Sequence, residues 1–266
     1  MKGMGSVLAL FNQGSLERAL SEAQLALKNK ADDQELRFLL VQLYLLNNQY
    51  EKALTHLNLL DMAVAADMQK AFALHCYRQI AMALSSRKLF FNQRKLVEVD
   101  VSDVSEAALQ RLLHRLTETS DVPDDEEVDV LSTPARVTLI DGRVLQGEWL
   151  DPDDLLRGFF ECISPQGRYR LIPMNLLEKL LFESPDKPLD CLLQRVSVTW
   201  RTTGETETLL HLNHYPFVFE GVVNLNATDW DDQTLASGIV GIGQKVFCLD
   251  DEIIPVSQIM SVEFVC

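Results

Sequence analysis

The fold of the first half follows from one short stretch, Ser15-Leu16-Glu17-Arg18-Ala19-Leu20, whose pattern returns further along the chain as Gln49-Tyr50-Glu51-Lys52-Ala53-Leu54. Gly14 and Asn48 precede the two copies, and both residue types suit the left-handed turn that ends a helix. The alanine at the fifth position of each copy is small enough to let paired helices approach closely. Because a period of about 34 residues, which separates the two copies, is typical of tetratricopeptide (TPR) helical hairpins, the repeat predicts TPR-like hairpins.

The first third of the chain has apolar residues at helical spacing throughout. Asp32 and Glu35 form a capping box, which predicts a helix that runs to about Leu46. A further helix is expected over residues 64–84. Its apolar stripe consists of Phe72, Cys76, Ile80 and Leu84.

The composition changes after a last predicted helix, which is expected over residues 103–117 with Asp103 and Glu106 as its capping pair. Residues 121–129 place acids around a proline and have no apolar face. Because like charges repel one another, this segment is typical of a linker. The predicted domains are a TPR-like all-α domain (residues 1–120), an acidic linker (121–134) and an α+β domain (135–266).

Past the linker, apolar residues alternate with polar ones, which is typical of strands. Residues 136–140 and 143–149 flank Asp141-Gly142, a strong signal for a β-hairpin. A short helix is expected after Pro173, ending near Leu181. Further strands are predicted at residues 159–163, 168–172, 196–200, 208–212, 245–249 and 261–265. Short strands with close turns predict a small antiparallel α+β bent sheet or barrel, so the chain is expected to be a multidomain α+β protein.

The composition argues against several classes of partner. A net charge of -15 disfavours nucleic acid, because affinity for a phosphate backbone comes largely from lysine and arginine. The same charge disfavours an anionic lipid surface, and no apolar run is long enough to predict membrane insertion. The five cysteines are scattered and odd in number, which is typical of reduced intracellular thiols. We expect a cytoplasmic protein with a protein partner.

Candidates for a catalytic or metal site are weak. His211, His214 and Asp229 offer metal-ligand chemistry, but residues three apart on a strand point to opposite faces. The glycine-rich stretch 238–245 lacks the Gly-Lys-Ser/Thr order of a phosphate loop. We therefore expect no catalytic residue, no metal and no cofactor. A metal-dependent or small-molecule enzyme with a site around the two histidines and Asp229 is the alternative, and a homodimeric scaffold is a third.

Several short motifs follow one another in the second half. They are Trp149-Leu150-Asp151-Pro152-Asp153-Asp154-Leu155-Leu156-Arg157-Gly158, Gly167-Arg168-Tyr169-Arg170-Leu171-Ile172-Pro173, His214-Tyr215-Pro216, Thr228-Asp229-Trp230 and Gly241-Ile242-Gly243-Gln244-Lys245. Their order resembles the ImpE family, also called TagJ or SciE-type proteins, which are encoded with bacterial type VI secretion systems. The resemblance covers residues 140–266 and departs from the family pattern at His214, Phe217 and Val218. The signature residues are Trp149, Arg168, Tyr169, Pro173, Tyr215, Pro216, Trp230, Gly241, Gly243 and Gln244.

The resemblance implies an accessory protein of the secretion machine, without catalytic residues. The partner that it implies is an N-terminal helix of the small subunit of the contractile sheath, with a link to the ATPase that recycles the sheath. A groove between paired helices suits an amphipathic partner helix. From the helix register, the candidate contacts are exposed residues such as Arg37, Gln42, Tyr44 and Arg78, although packing of Tyr44 in the core is an equally good interpretation.

Overall fold

The structure, a computed structural model, describes residues 3–64, 67–96, 98–117, 132–217, 227–233 and 238–265. The chain divides into two compact units. The helical unit comprises Met1–Ser85 with Asp186–Asp190, and the sheet unit comprises Ser86–Pro185 with Cys191–Cys266. Most of the predicted linker, residues 121–134, lies outside the described residues, so the predicted domain boundaries stay a prediction.

Six helices occur in the described part of the chain. They are α1 (Gly3–Asn12), α2 (Leu16–Asn29), α3 (Gln34–Leu46), α4 (Tyr50–Val64), α5 (Met68–Gln93) and α6 (Glu106–Thr117). The first four lie in the helical unit and α6 in the sheet unit, while α5 begins in one unit and ends in the other. Among the described helices, none combines the length and the apolar character that crossing a bilayer requires.

The helical unit repeats the same turn at the spacing of the sequence repeat. Gly14 and Asn48 both have positive φ, 76° and 55°, as the sequence predicts. Each ends a helix with two backbone hydrogen bonds, from Gly14 to Phe11 and from Ser15 to Leu10 in the first copy. The second copy has the equivalent pair, from Asn48 to Leu45 and from Gln49 to Tyr44. The hairpins α1–α2 and α3–α4 are therefore two copies of one unit.

Several predicted helix limits are wrong. The cap of α3 is Asp33, whose Oδ1 accepts the N–H of Leu36 at 3.0 Å, and not Asp32. Ser105 caps α6 in place of Asp103, which forms an ion pair with Arg170. In each case the chain reaches its helical conformation one or two residues later than predicted, because another polar residue was available to accept the first N–H groups.

The apolar stripe predicted for α5 is correct at its C-terminal end only. Ile80 and Leu84 are buried, but Phe72 is exposed. The helix also continues to Gln93, nine residues beyond the predicted end, and buries Phe90 and Phe91 in its last turn. The apolar spacing of the early turns is therefore not a core-facing stripe.

The capping assignment can be tested with a neighbouring control. We expect Asp33→Ala to lower the free energy of unfolding of the helical unit by about 1 kcal/mol, because α3 loses its side-chain cap. Asp32→Ala removes an exposed acid next to it and should have almost no effect. Urea denaturation followed by circular dichroism measures both, and equal effects of the two substitutions would contradict the assignment.

The strands of the sheet unit are β1 (Val99–Asp100), β2 (Thr133–Leu139), β3 (Val144–Leu150), β4 (Phe159–Ile163), β5 (Tyr169–Pro173), β6 (Leu177–Phe182), β7 (Leu193–Trp200), β8 (Thr206–Leu212), β9 (Thr228–Asp231), β10 (Val240–Gly243), β11 (Val246–Leu249), β12 (Glu252–Pro255) and β13 (Ile259–Phe264). Among the described residues, eleven of them form one sheet in the order β1-β5-β4-β8-β7-β6-β13-β2-β3-β11-β12. The pair β9 and β10 forms a second, antiparallel sheet.

The sheet is larger than predicted, and it is not entirely antiparallel. The strand signals at 136–149, 159–172 and 196–212 are confirmed as hairpins. The predicted helix after Pro173 is wrong, because only a single 3-10 turn separates that residue from β6. Leucine, glutamate and lysine favour a helix locally, but pairing with β7 and β13 on both sides overrides that preference. In addition β1 runs parallel to β5, so the large sheet is mixed.

One apolar core is shared by strands from distant places in the sheet. Phe160 of β4, Val196 of β7, Val262 of β13 and Ile254 of β12 all belong to the same buried cluster. Since β4 and β12 lie far apart in the strand order, the sheet must bend strongly around this core. A bent sheet is therefore confirmed.

The large sheet consists of two similar halves. The order β5-β4-β8-β7-β6 is followed by β13-β2-β3-β11-β12, so each strand of one half has a counterpart in the other. Pro173 and Pro255 end the counterparts β5 and β12, and a single 3-10 turn follows each of them. At the centre, Leu180 of β6 pairs with Val262 of β13. Pro173 and Pro255 are separated in the chain by the same number of residues as Leu180 and Val262. An approximate two-fold axis therefore passes between Leu180 and Val262.

The core packing repeats in the two halves as well. His211 stacks on Phe160 with ring centroids 4.9 Å apart, and Phe182 meets the imidazole edge-on at 5.5 Å. Their counterparts in the other half, with centroid distances of 4.3 and 6.4 Å, are Trp149, Phe247 and Phe264. A histidine thus occupies the position that a tryptophan fills in the other half.

Candidate functional site

Five charged side chains lie buried together in the sheet unit, and we call them the charge cluster. They are Arg87, Asp151, Asp153, Glu161 and Lys245. Burying a charge is costly unless it is paired and hydrogen-bonded. A cluster of this size therefore needs a specific arrangement, and its geometry identifies the part of the sheet unit that is most constrained.

Glu161 is the centre of the charge cluster. Arg87 binds it through two hydrogen bonds, with Nε 2.5 Å from Oε1 and the second nitrogen 2.8 Å from Oε2. Lys245 Nζ lies 3.0 Å from Oε2, and the Tyr169 hydroxyl donates to Oε1 at 2.7 Å. Both carboxylate oxygens are therefore saturated with donors, which is what a fully buried carboxylate requires.

The elements that carry these groups come from distant parts of the sequence. Arg87 lies near the end of α5, where Phe91 contacts the ring of Tyr169 with centroids 6.4 Å apart. Glu161 is the central residue of β4, all of whose residues are buried. Lys245 lies between β10 and β11, and its N–H donates to the carbonyl oxygen of Asn213 at 2.7 Å. Glu161 thereby joins α5, β4 and the segment before β11.

The cations decide the charge of Glu161. Burial alone would raise the pKa of Glu161, but the charges of Arg87 and Lys245 and the hydrogen bonds from Arg87 and Tyr169 overcome it and lower the pKa to about 2. Glu161 is consequently a carboxylate at neutral pH. The burial and the neighbouring carboxylate raise the pKa of the Tyr169 hydroxyl, which therefore remains a hydrogen-bond donor.

Asp151 has a weaker set of partners. Its Oδ1 is 3.0 Å from the Tyr215 hydroxyl and accepts the N–H of Asp153, also at 3.0 Å. Its Oδ2 is buried without a hydrogen-bond donor among the described residues, and Lys245 Nζ stands 3.8 Å away. Burial raises the pKa of Asp151 to about 7, with Lys245 opposing the shift and Asp153 adding to it. This acid thus changes its charge near neutral pH.

Asp153 organises the backbone around it. Its Oδ1 accepts the N–H groups of Leu155 and Leu156, both at 2.9 Å, and its Oδ2 accepts the N–H of Gly241 at 2.8 Å. Burial raises the pKa of Asp153, while these backbone donors oppose the shift. The turn after β3 is therefore fastened to β10 through one carboxyl group.

Tyr215 and Gly241 fit together closely. A Cβ atom on Gly241 would lie 2.3 Å from Cδ2 of the Tyr215 ring, so only glycine leaves room for the ring. The hydroxyl of Tyr215 also lies 3.0 Å from the carbonyl oxygen of Val246. The backbone N–H of Tyr215 donates to the carbonyl oxygen of Gly243 at 2.9 Å. The segment around Tyr215 is held against β10 by packing and by hydrogen bonds at once.

Comparison with known proteins gives this region a family. Residues 144–263 match the family model described as ImpE protein. This match confirms that the second half of the chain resembles the ImpE family. No curated protein matches the chain in a sequence search. The crystal structure of protein VPA1032 from Vibrio parahaemolyticus is similar over 98% of this chain and 98% of its own, with a TM-score of 0.80 and 19% identity, which establishes a shared fold.

Three ImpE signature residues take part in the charge cluster directly or support it. The hydroxyl of Tyr169 donates to Glu161, the hydroxyl of Tyr215 donates to Asp151, and the backbone N–H of Gly241 donates to Asp153. The acids Asp151 and Asp153 themselves lie in the first ImpE-like motif. The signature motifs are therefore far apart in sequence because they meet around the buried charges.

The other signature residues lie outside the charge cluster. Trp149 stacks on Phe247 in the core, and Gly243 has a positive φ of 84° before the next strand. Gln244 Nε2 donates to the Ser257 hydroxyl at 2.8 Å. The side chains that are exposed or half-exposed are Arg168, Pro173, Pro216 and Trp230. Pro173 ends β5, and Trp230 lies on β9 with its ring centroid 5.8 Å from that of Tyr215.

The residues of the alternative metal site do not form a set of ligands. His211 is buried in the aromatic core, where burial and the charge of Lys245 lower its pKa to about 3. Its Nδ1 is 2.9 Å from Oδ1 of Asn213. His214 is buried in a backbone bridge to Gln244, and Asp229 lies on β9. Within the described ranges, no three histidine, cysteine or acidic side chains are placed to hold a metal ion.

The glycine-rich stretch before Lys245 is a strand and a tight backbone approach. Residues 240–243 form β10, and Lys245 is buried on Glu161 with Nζ turned away from solvent. A phosphate loop instead needs free N–H groups ahead of a helix. These glycines therefore belong to a strand and its close backbone packing, and they do not form a phosphate loop.

The four candidate partner contacts on the helical unit differ in burial and in the contacts that they make. Gln42 is buried, so the expectation that it is exposed is wrong, and Tyr44 is buried as its core-packing interpretation predicts. Arg37 lies against the carbonyl oxygen of Ala31 and the ring of His56, 3.3 Å away. Arg78 is half-buried and binds Asn58 and Asp61. Their role in partner binding stays a prediction.

Sequence reasoning missed the centre of the cluster. Local sequence patterns predict no role for Arg87 or Glu161, and they mark Lys245 only as the end of a glycine-rich, ImpE-like motif. One signal was available for Glu161, a charged residue in the middle of the apolar strand Phe159-Phe160-Glu161-Cys162-Ile163. An acid in such a strand requires a buried cation, but the sequence does not say which one.

Titration of Asp151 should make the stability of the sheet unit depend on pH. A raised pKa means that the contribution of this acid is fully present below about pH 4 and is lost as the pH rises through about 7. We expect the free energy of unfolding to fall by about 1 kcal/mol more between pH 6 and 8 in the wild type than in Asp151→Asn. Urea denaturation at the two pH values measures the difference, with exposed Asp251→Asn as control. Equal pH slopes in all three proteins would refute the assignment.

The contact of Gly241 with Tyr215 gives a steric prediction. Gly241→Ala should lower the free energy of unfolding by about 2 kcal/mol, because the new methyl group overlaps the tyrosine ring. Gly5→Ala, at a helical glycine with open space around it, should not destabilise the protein. Thermal denaturation compares them. A Gly241→Ala variant as stable as the wild type would show that the ring is free to move.

Proposed function

We propose that this protein is a non-enzymatic accessory protein of a bacterial type VI secretion system, acting in the cytoplasm. In this proposal its helical unit binds an amphipathic N-terminal helix of the small sheath subunit, and thereby influences how the recycling ATPase handles the sheath. The observation that carries the proposal is the joining of an ImpE region to paired helical hairpins in one chain. Helical hairpin arrays commonly bind partner segments on their surfaces.

An exposed apolar patch on the helical unit offers a place for the partner. Three exposed apolar side chains that are close in sequence define it, Met62 near the end of α4 and Met68 and Phe72 in the first turns of α5, and we call them the α4–α5 patch. These side chains are 74, 87 and 69% exposed. Apolar side chains of this size at such exposure are typical of interaction surfaces when they occur together.

The geometry of the α4–α5 patch suits a helix as its occupant. Met68 and Phe72 are four residues apart on α5, so they lie on one face of that helix, one turn from each other. Methionine side chains are flexible and polarizable, which suits a surface that adapts to the apolar face of a partner helix. Asp67 and Lys70 lie beside the patch and supply charges of both signs at its rim.

The charge cluster supports a non-catalytic role for the sheet unit. Arg87, Glu161 and Lys245 saturate one another at a site with almost no solvent exposure. A general acid or base must instead reach a substrate within hydrogen-bond distance. The chemistry of the cluster is better explained as the means by which the turns and strands of the sheet unit are held together.

The proposal is tested by direct binding. A fluorescein-labelled peptide with the N-terminal sequence of the cognate small sheath subunit should bind the full chain saturably in fluorescence anisotropy. Phe72→Glu should weaken binding at least about tenfold, because it buries a charge against the apolar face of the peptide. Gln69→Glu adds the same charge to an exposed position on the same helix and should change the affinity little.

Three outcomes would contradict the proposal. The first is a failure of the wild-type chain to bind the peptide at peptide concentrations of tens of micromolar, and the second is equal weakening by Phe72→Glu and Gln69→Glu. The third is binding that is lost in the sheet-unit variant Gly241→Ala at a temperature where its helical unit is folded, which would place the partner on the other unit.

A further inference from the structure

The two-fold relation inside the sheet unit makes β5 and β12 counterparts, but their outer edges differ. The outer edge of β5 is covered by β1, which runs parallel to it and pairs Val99 with Tyr169 and Asp100 with Arg170. At β12, no strand pairs with the outer edge among the described residues. One half of the sheet thus contains an added strand at a place where the other half has none in the part of the chain that the structure describes.

Backbone groups of β12 point outward at this edge. The N–H of Val256 donates to the carbonyl oxygen of Lys245 at 3.0 Å, which sets the alternation of the β11–β12 ladder. In the register of that ladder Ile254 pairs with Phe247 through hydrogen bonds, so the N–H and C=O of Ile253 face away from β11. The side chain of Ile253 is 61% exposed. Unpaired backbone groups beside an exposed apolar side chain are a template for another strand.

The charge at the open edge is the reverse of that at the covered edge. On the covered edge Arg170 Nε lies 4.0 Å from Asp100 Oδ2 of the added strand. The separation that relates Pro173 to Pro255 makes Glu252 the counterpart of Arg170. Glu252 is exposed, and it follows another exposed acid, Asp251. Glu252 also lies 3.5 Å from Arg143, an exposed contact, so a segment that pairs with β12 in the same way meets the carboxylates of Asp251 and Glu252 where β1 meets the guanidinium group of Arg170.

We propose that the outer edge of β12 binds an extended segment of another protein, parallel to β12 and composed of apolar residues alternating with lysine or arginine. The backbone of the segment pairs with Ile253 as β1 pairs with β5, its basic side chains lie on the face of the sheet that carries Glu252, and Asp251 in the adjoining turn adds negative charge beside them. Main-chain hydrogen bonds provide the affinity and the alternate side chains provide the specificity. This edge lies in the sheet unit and does not depend on the helix-binding role proposed above.

The probe for this edge is derived from β1 itself. A fluorescein-labelled peptide has the sequence of residues 96–102 with Glu98→Lys and Asp100→Lys, so that it keeps the apolar residues of the natural edge strand and reverses its charge. We expect saturable binding to the full chain in fluorescence anisotropy. The unchanged acidic peptide, which is the matched control, should bind at least about tenfold more weakly because it meets Asp251 and Glu252.

Two variants locate the binding edge. Ile253→Pro removes the outward N–H without touching the β11 ladder and should reduce the affinity for the basic peptide at least about tenfold. Asp251→Lys with Glu252→Lys changes only exposed side chains and should reverse the preference between the two peptides. Circular dichroism shows that each variant is folded.

Several results would overturn the proposal. Absence of binding of the basic peptide to the wild type is one, and unchanged affinity in folded Ile253→Pro is another. Preference that stays the same in the charge-reversed variant would show that the acids do not contact the peptide. A dimer in light scattering that Ile253→Pro converts to a monomer would show that a second copy of the chain occupies the edge, which also contradicts the proposal.

Discussion

The carboxylate of Glu161 is the constraint on which the sheet unit depends. A charge in the middle of a fully buried strand is tolerable only when its oxygens are saturated by cations and hydrogen-bond donors. Arg87, Lys245 and Tyr169 meet that demand, and each comes from a different part of the chain. The last turns of α5 and the segment before β11 must therefore reach β4, whatever their own preferences. Arg87 further donates to the carbonyl oxygen of His214, which brings the segment with Tyr215 into the same arrangement.

The charge cluster also breaks the symmetry of the sheet. The two halves share strand order, aromatic packing and the turn after each terminal proline, but Glu161, the centre of the cluster, lies on a strand of one half only. The counterpart of Glu161 on β11 is Cys248, and the counterpart of His211 on β3 is Trp149. In the half with Glu161, α5 and β1 pack on the sheet. In the half with Cys248, the edge strand β12 has no added strand among the described residues. The position of the buried charge thus coincides with the side on which further elements are added.

Much of the fold could be predicted from local signals. The turn at Asp141-Gly142 and the repeated turn at Gly14 and Asn48 both reflect short-range conformational preferences, and both are confirmed. The family resemblance was also correct, because motif order is a property of the sequence itself. The size of the sheet was underestimated because β6 has the composition of a helix and β1 has only two residues. Pairing with distant strands decided both elements.

The candidate site was much less predictable. Glu161 is recognisable as an unusual residue in its strand, but the choice of Arg87 as its partner depends on α5 extending nine residues past its expected end. Phe72 looked like a core residue because its spacing fits an apolar stripe, and only the packing of the helices shows that it is exposed. Long-range pairing of charges and the direction of a helix face are set by tertiary structure, so a single sequence contains little information about either.

The central claim is that Glu161 and Arg87 act as one structural pair, and a double-mutant cycle tests it most directly. Glu161→Gln, Arg87→Gln and the double variant would be compared with the wild type by urea denaturation, all in the same osmolyte if the single variants are too unstable. Each single substitution should cost about 3 kcal/mol or more, since it leaves an uncompensated buried charge, and the double variant should be destabilised by at least about 2 kcal/mol less than the sum. Effects that add to within about 0.5 kcal/mol would contradict the account.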